Sequence, residues 1–314
     1  MMTYRLCLVG YGKIARDQHV PVIEAHPDFD LVSVVSRSGS NLDLPVFANL
    51  SEALKAGSDV DAVVLCTPPE PRTTLALEAI SAGKAVFLEK PPALTVSAAE
   101  SLTEAAFEAG ITLFASWHSR FAPFVERTRD WAYQNGVSEV QIDWREDVLK
   151  WHPGQDWLWQ PGGMGVFDPG INALSILTEI LPVSVSVTKA ELHIPENKSQ
   201  PIAATLTLEG PDLTGHANFD FRETGNEVWS IRLNSPDGES LTLSRGGAAL
   251  QIGDSPVETT PEQEYRGLYD RFAHLLSESA SEVDLRPLQL VADAFLCGRR
   301  HVAPAFHDPA SASK

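Results

Sequence analysis

Gly10, Gly12 and Ala15 stand between an apolar run, RLCLVG, and a helical stretch, KIARDQHVPVIEAH. At a strand-to-helix junction, the spacing G-x-G-x-x-A suits a dinucleotide pyrophosphate. The first glycine permits a tight turn, the second lets the backbone approach the phosphates, and the alanine packs the helix close to the strand. The helix N-terminus then faces the negative charge. In such sites an acid at the end of the second strand holds the ribose 2′-hydroxyl. Here the second strand, LVSVVS, ends in Ser36, and Arg37 follows. A serine can donate to a 2′-phosphate and an arginine can pair with it, so the pattern predicts that NADP is accepted and preferred, with NAD also usable.

A second chemical group closes the later apolar run AVFLE, which ends in Glu89-Lys90-Pro91-Pro92. Ligands of parallel sheets bind at the carboxyl ends of the strands, and prolines after a lysine fix its backbone there. A lysine so placed can hydrogen-bond a reacting hydroxyl and favour its deprotonation. Taken alone, it reads equally well as a surface lysine.

These residues call for a parallel sheet beneath them. From residue 4 to about 118, runs apolar on both faces (RLCLVG, DLVSVVS, VDAVVLCT, AVFLE, ITLFASWH) alternate with helical stretches, one ending at Gly83 and one at Gly110. That grammar predicts an N-terminal α/β domain, doubly wound in the Rossmann manner. After about residue 120 it changes: VQIDWRED sets Val140, Ile142 and Trp144 on one face, and VSVSVTKAELHI, ATLTLEG, GHANFDFRE, VWSIRLNS and ESLTLSR alternate likewise. These strands predict a C-terminal α+β domain with an open, mostly antiparallel sheet. The apolar segment GGMGVFDPGINALSILTEILP predicts a helix from near Asp168 to before Pro182. EYRGLYDRFAHLLSES and LRPLQLVADAFLCGRR predict two amphipathic helices. The expected boundaries are 1–118, 119–301 with a C-terminal helix docking back on the first domain, and a frayed tail at 302–314.

Composition narrows the partners. Of 314 residues, 43% are hydrophobic and 21% charged, and 42 acidic against 24 basic side chains give a formal charge of −18. Such a surface repels phosphate backbones and anionic lipid, so neither nucleic acid nor membrane is expected as a partner. Cys7, Cys66 and Cys297 lie far apart without C-x-x-C spacing, which argues against a disulfide framework or a zinc site. Neither a leader pattern nor an apolar run of membrane-spanning length is visible, so a cytoplasmic location is expected.

Together, VGYGKIARDQHVP, VVLCTPPEPRTTLALEAISAGKAVFLEKPPALT and the two-part architecture resemble the Gfo/Idh/MocA oxidoreductase family. The resemblance implies reversible hydride transfer between a nicotinamide and a sugar or cyclitol carbon. It also implies a homo-oligomer, a dimer, joined through the open sheet, and cofactor contacts at Lys13, Ile14, Cys66, Thr67, Pro68, Glu89 and Lys90 as well as Gly10, Gly12, Ser36 and Arg37. The family's D-x-x-x-H helix motif reads FDPGINALS here, with Asp168 and Asn172 on one helix face. An asparagine cannot serve as a general base, so Asp168 becomes the candidate, with Lys90 at the reacting oxygen and Asn172 orienting the substrate. The change suits an anomeric hydroxyl, which is more acidic than an ordinary secondary alcohol.

ARDQH, CTPP, EKPP, WHSR, EDVLKWHPGQDWLWQPGG and FDPGINALS further resemble the family's aldose 1-dehydrogenase subgroup for L-arabinose and D-galactose. That likeness implies oxidation of the anomeric carbon of galacto-configured sugars, L-arabinose, D-galactose and D-fucose, to the aldonolactone. It adds His118, Glu146, Trp151 and His152 as sugar contacts, while Trp157, Trp159 and Trp229 offer further flat faces. No metal is expected, since His118 and His152 lack H-E-x-x-H spacing. Two rival readings are a dehydrogenase for another sugar or polyol and a catalytically silent sugar sensor that keeps the cofactor. Lys90 with Asp168 weighs against the sensor, and Asn172 against the ordinary polyol.

Overall fold

In a computed structural model describing residues 3–56, 59–261 and 263–310, the chain divides into two units. One comprises Met1–His118 with Tyr265–Leu285, the other Ser119–Glu264 with Arg286–Lys314.

The first unit is built on six parallel strands: β1 (Tyr4–Val9), β2 (Phe29–Val35), β3 (Val46–Phe47), β4 (Ala62–Leu65), β5 (Ala85–Glu89) and β6 (Leu113–Ser116). Their order is β3-β2-β1-β4-β5-β6. Helices on both faces explain the strands' near-continuous apolar character, with Leu6, Leu8, Val63, Val64 and Phe87 wholly buried. The crossover helices start where short polar side chains can cap them. Asn49 accepts from the Glu52 amide and Thr95 from the Ala98 amide. Strand order reverses between β1 and β4, so their carboxyl ends flank the crevice in which open α/β sheets bind ligands.

The helix Glu264–Glu278 belongs largely to this unit, whereas the sequence reading placed it in the second domain. Its apolar stripe packs Phe272 against Phe29 and Phe114, and Tyr269 against Phe87. Glu282 then pairs with the edge of β6, through Ala115 N–H to Glu282 O and Glu282 N–H to Leu113 O, both at 2.9 Å. Amphipathicity shows that one face of a helix is buried but not which surface buries it.

The second unit holds a nine-stranded sheet: β7 (Glu139–Arg145), β8 (Ser186–Pro195), β9 (Ala203–Gly210), β10 (Leu213–Asp220), β11 (Val228–Asn234), β12 (Ser240–Ser244), β13 (Ala249–Ile252), β14 (Glu258–Thr259) and β15 (Gly298–Ala303). The order is β14-β13-β12-β11-β7-β10-β9-β8-β15. The pairs β7–β10 and β8–β15 are parallel and the others antiparallel. Val140, Ile142 and Trp144 point into the core with Ala217, Phe219, Leu206 and Ile231. The helix Phe167–Ile180 lies on this face, with Phe167 edge-on to Phe219 at 5.8 Å.

The helix Arg286–Cys297 stops at Gly298, and the chain continues as β15 beside β8. Beyond it, Phe306 packs on Trp159 at 4.9 Å, its N–H donates to Asn197, and Asp308 accepts from the Gly154 amide at 2.6 Å. Residues 302–310 are therefore docked rather than frayed, because an aromatic anchor and side-chain hydrogen bonds hold them. The remainder of the expected tail, 311–314, lies outside the described residues. No described helix is long and apolar enough to cross a membrane.

Candidate active site

In the first unit, the predicted cofactor residues gather at the carboxyl ends of β1, β2, β4 and β5. Gly10 follows β1 with φ +95, which only glycine adopts without strain, and a Cβ there would meet the Thr67 amide nitrogen at 3.0 Å. The turn thus lies directly against the end of β4. At Gly12 an added Cβ would meet nothing within 4 Å, so the backbone there is open to a ligand. Thr67 Oγ1 is buried and has no hydrogen-bond partner in the described structure. An open glycine, an orphaned hydroxyl and a helix opening behind the turn are what a nicotinamide dinucleotide would need, so the residues present fit that group.

Around the turn, Ile14 is exposed and Lys13 is paired with Asp17. Ser36 and Arg37 follow β2. The Ser36 hydroxyl donates to the Gly39 carbonyl at 2.8 Å, which leaves the exposed Arg37 as the stronger group for a 2′-phosphate. Cys66 is buried, and Pro68 leads into the helix Pro69–Ser81. Arg72, in that helix, was not foreseen. It is buried, and its guanidinium donates to the carbonyls of Thr67, Glu89 and Pro91, tying the ends of β4 and β5 together. A proline-flanked arginine at the start of a helix was the only signal for it.

Glu89 is also placed differently from a cofactor ligand. Its carboxylate is buried and takes up protein donors on both oxygens. Oε1 accepts from Tyr265 Oη at 2.8 Å and meets His19 Nε2 at 3.0 Å, while Oε2 accepts from the Lys90 amide at 2.8 Å. His19 reaches it from a π turn over Ala15–His19 and contacts Tyr269 Oη at 2.8 Å through Nδ1. Burial disfavours the charged imidazole, but Cys66 and Glu89 overrule it and raise His19 to about 10. Of these neighbours, the carboxylate at 3.0 Å carries the decisive opposite charge. Burial likewise opposes the Glu89 carboxylate, yet His19, His118 and Lys90 lower it to about 2. Lys90 is half-buried at the end of this strand, and His118 stacks on Tyr265 at 5.3 Å.

The second unit collects the remaining predicted residues. Asp168 lies in the first turn of the helix Phe167–Ile180, buried, where the helix dipole favours its negative charge. Val166 is the N-cap, so capping does not explain Asp168. Asn172 is one turn further along and half-buried. The loop before this helix must pass close to neighbouring backbone: a Cβ on Gly163 would lie 2.3 Å from the carbonyl oxygens of Trp157 and Leu158. That close pass packs the 157–163 loop tightly ahead of the helix.

His152 stands between two buried carboxylates. Its Nε2 is 3.3 Å from Glu146 Oε1, and its Nδ1 is 3.9 Å from Asp168 Oδ2 and 3.4 Å from Gln155 Oε1. The other Glu146 oxygen accepts from the Trp229 indole at 2.8 Å. Trp151, exposed, meets Trp229 edge-on at 5.7 Å, and its indole donates to Glu227. Trp229 and Trp151 thus form an aromatic corner beside the carboxylates, and Trp157 is half-buried. Trp159 is core, 3% exposed and packed between Phe221 and Phe306. Among the described residues, no group of three or more His, Cys, Asp or Glu side chains is arranged to hold a metal ion.

Comparison with known proteins places the chain in a family. Residues 4–116 match the family described as an oxidoreductase family with an NAD-binding Rossmann fold. The galactose 1-dehydrogenase of Pseudomonas fluorescens is 45% identical, the match covering 98% of this chain and all of that protein. A D-xylose 1-dehydrogenase [NADP(+)] of Haloarcula marismortui is 28% identical over 87% of this chain and 83% of its own. The crystal structure of a D-galactose-1-dehydrogenase from Rhizobium etli superposes with a TM-score of 0.93 at 47% identity, covering 98% of this chain and 99% of that one.

Proposed function

Since the chain belongs to the Gfo/Idh/MocA oxidoreductase family, we propose that it is an aldose 1-dehydrogenase. It oxidises the anomeric carbon of galacto-configured sugars, D-galactose, L-arabinose and D-fucose, to the aldonolactone, with NADP preferred and NAD accepted. The names of the two galactose 1-dehydrogenases support the sugar class, and that of the xylose enzyme supports NADP.

The observation that carries the reading is the line of Asp168, His152 and Glu146. Oxidising an alcohol removes a hydride from carbon and a proton from oxygen. When bound, the nicotinamide supplies the acceptor for the hydride. The rest falls to side chains. Lys90 donates to the anomeric oxygen and steadies it as its proton leaves. Asp168 takes that proton, and His152 offers it a path onward to Glu146. Asn172 donates to a ring hydroxyl, while Trp151 and Trp229 cover the C–H face of the sugar. Gly10, Gly12, Ile14, Thr67 and Pro68 hold the dinucleotide, with Arg37 on its 2′-phosphate.

The test is reduction of NADP and of NAD, followed by absorbance, with D-galactose, L-arabinose, D-fucose, D-glucose, D-xylose and myo-inositol. Turnover confined to the first three sugars is the expected result. Equal turnover of myo-inositol would remove the anomeric assignment. Cofactor binding without turnover of any sugar would replace the enzyme reading with a sensor. The family resemblance is what supports a homodimer through the sheet face opposite the core, which carries Gln141, Asp143, Thr207, His216 and Asn218. A monomer by light scattering would exclude it.

A further inference from the structure

Glu89 and His19 form a charged pair that the proposed chemistry does not use. Both are buried, with side-chain exposures of 5% and 0%. Taking two charges out of water costs several kcal/mol per ion, so an arrangement of this kind needs good geometry and further hydrogen bonds. Here it has them. The carboxylate receives His19, the Tyr265 hydroxyl and the Lys90 amide. The imidazole reaches Tyr269 with its other nitrogen, and the rings of Phe87, Tyr265 and Tyr269 surround it.

Two of the groups bound to Glu89 lead outward to residues proposed to meet the sugar. The Lys90 amide belongs to the residue whose ammonium is to hold the anomeric oxygen. The Tyr265 ring carries His118 stacked face to face, with an interplanar angle of 18°. We propose that Glu89 is a positioning residue: bonded to His19, it fixes the main chain of Lys90 and the ring under His118, and so sets where both side chains stand. This rests on the aldose dehydrogenase reading for its effect on turnover, but not for its geometry.

The decisive variant is Glu89→Gln, which keeps the shape and removes the charge. Positioning predicts that turnover falls by about tenfold to a hundredfold, the size of effect that a small misplacement near a reacting centre produces. NADP affinity, measured by calorimetry, stays within about twofold. A parallel loss of NADP affinity would overturn the proposal and make Glu89 a cofactor ligand, and unchanged turnover would overturn it as well. Tyr265→Phe removes one hydroxyl and keeps the ring under His118. It tests the same bond should Glu89→Gln fail to fold, and it is expected to raise the sugar KM more than it lowers kcat.

Two resonances read the geometry without any substrate. In the wild type, the His19 ring shows both nitrogens protonated at about pH 8, above the ordinary histidine range, and the Lys90 amide is shifted downfield by its carboxylate acceptor. Both signatures disappear in Glu89→Gln. If the wild type oxidises no sugar but both resonances behave so, the enzyme reading fails and the positioning geometry stands. If the His19 ring is neutral and the Lys90 amide unmoved by the substitution, the positioning fails whatever the activity.

Discussion

Each unit contains a histidine set against buried carboxylate, and the two clusters differ in what is left over. In the first unit, His19 and Glu89 are sealed from solvent and every oxygen of the carboxylate is taken by a protein donor. In the second, Asp168 and Glu146 are buried, but the His152 side chain between them keeps 17% of its exposure, and its distance to Asp168 is 3.9 Å. A fully satisfied network holds shape, because moving a proton through it breaks bonds that nothing replaces. A looser one with an accessible ring can tighten on a substrate and pass a proton on. In the proposed reading, the same residue types serve as framework in the first unit and as working groups in the second, and the exposure of the histidine is what separates the two.

The sharpest way to break this contrast is Asp168→Asn, which keeps volume and removes the base. Turnover is expected to fall by about a hundredfold to ten-thousandfold, the usual worth of a positioned general base. NADP binding, read by quenching of tryptophan fluorescence, stays unchanged, and a variant that retains turnover would show that proton removal lies elsewhere. His152→Gln comes next. As a relay between two carboxylates, the ring should matter less than the base, with a loss of about tenfold to a hundredfold. Turnover equal to wild type at every pH would leave Asp168 working directly against solvent.

What was legible in the sequence follows the same division. The glycine turn could be read because Gly10 obeys a local backbone requirement, and Lys90 because prolines and a strand end mark its place. Asp168 and Asn172 stand out through the family motif, and their spacing of four foretells only that one helix carries both, which Phe167–Ile180 does. Glu89 counts as a cofactor contact only through the family resemblance. Its actual partners lie 70 and 176 residues away, a separation that no local pattern reports. One clue was present: Ala15, His19 and Ile23 repeat at helical spacing and all are buried, so a histidine on that apolar stripe needed a polar partner. β15 escaped for another reason. GRRHVA is an edge strand, where arginines are tolerated and alternation is weak, so the segment read as the end of a helix.

The sealed pair should also reveal itself in stability. His19 has its pKa raised to about 10, so its contribution is complete below the ordinary histidine range and is lost as pH rises through 10. Glu89 is lowered to about 2, so its contribution is complete above the ordinary carboxylate range and is lost as pH falls through 2. Both are fully present only in the mildly acidic window between those ranges. His19→Gln leaves a buried carboxylate without its counter-charge, which typically costs about 3–5 kcal/mol. In urea titrations the deficit should be largest in that mildly acidic window, shrinking both as acid protonates Glu89 and as His19 loses its proton toward pH 10. A deficit independent of pH would mean that His19 acts through packing alone.

The smallest expected effect concerns the cofactor edge. Ser36 donates its hydroxyl hydrogen bond to the Gly39 carbonyl, so in the proposed reading discrimination between NADP and NAD falls to Arg37. A charge-assisted hydrogen bond is worth about 1.5–3 kcal/mol, and a surface position with solvent access lies toward the lower end. Arg37→Ala should therefore raise the KM for NADP by about tenfold and leave that for NAD within about twofold. Ser36→Ala should do less, because it loosens the loop that carries Arg37 and removes no charge. If Ser36→Ala harms NADP use more than Arg37→Ala does, the serine turns from its carbonyl to the phosphate when the cofactor binds. The cofactor edge would then resemble the second unit's cluster, adjusting to its ligand, more than the sealed His19–Glu89 pair.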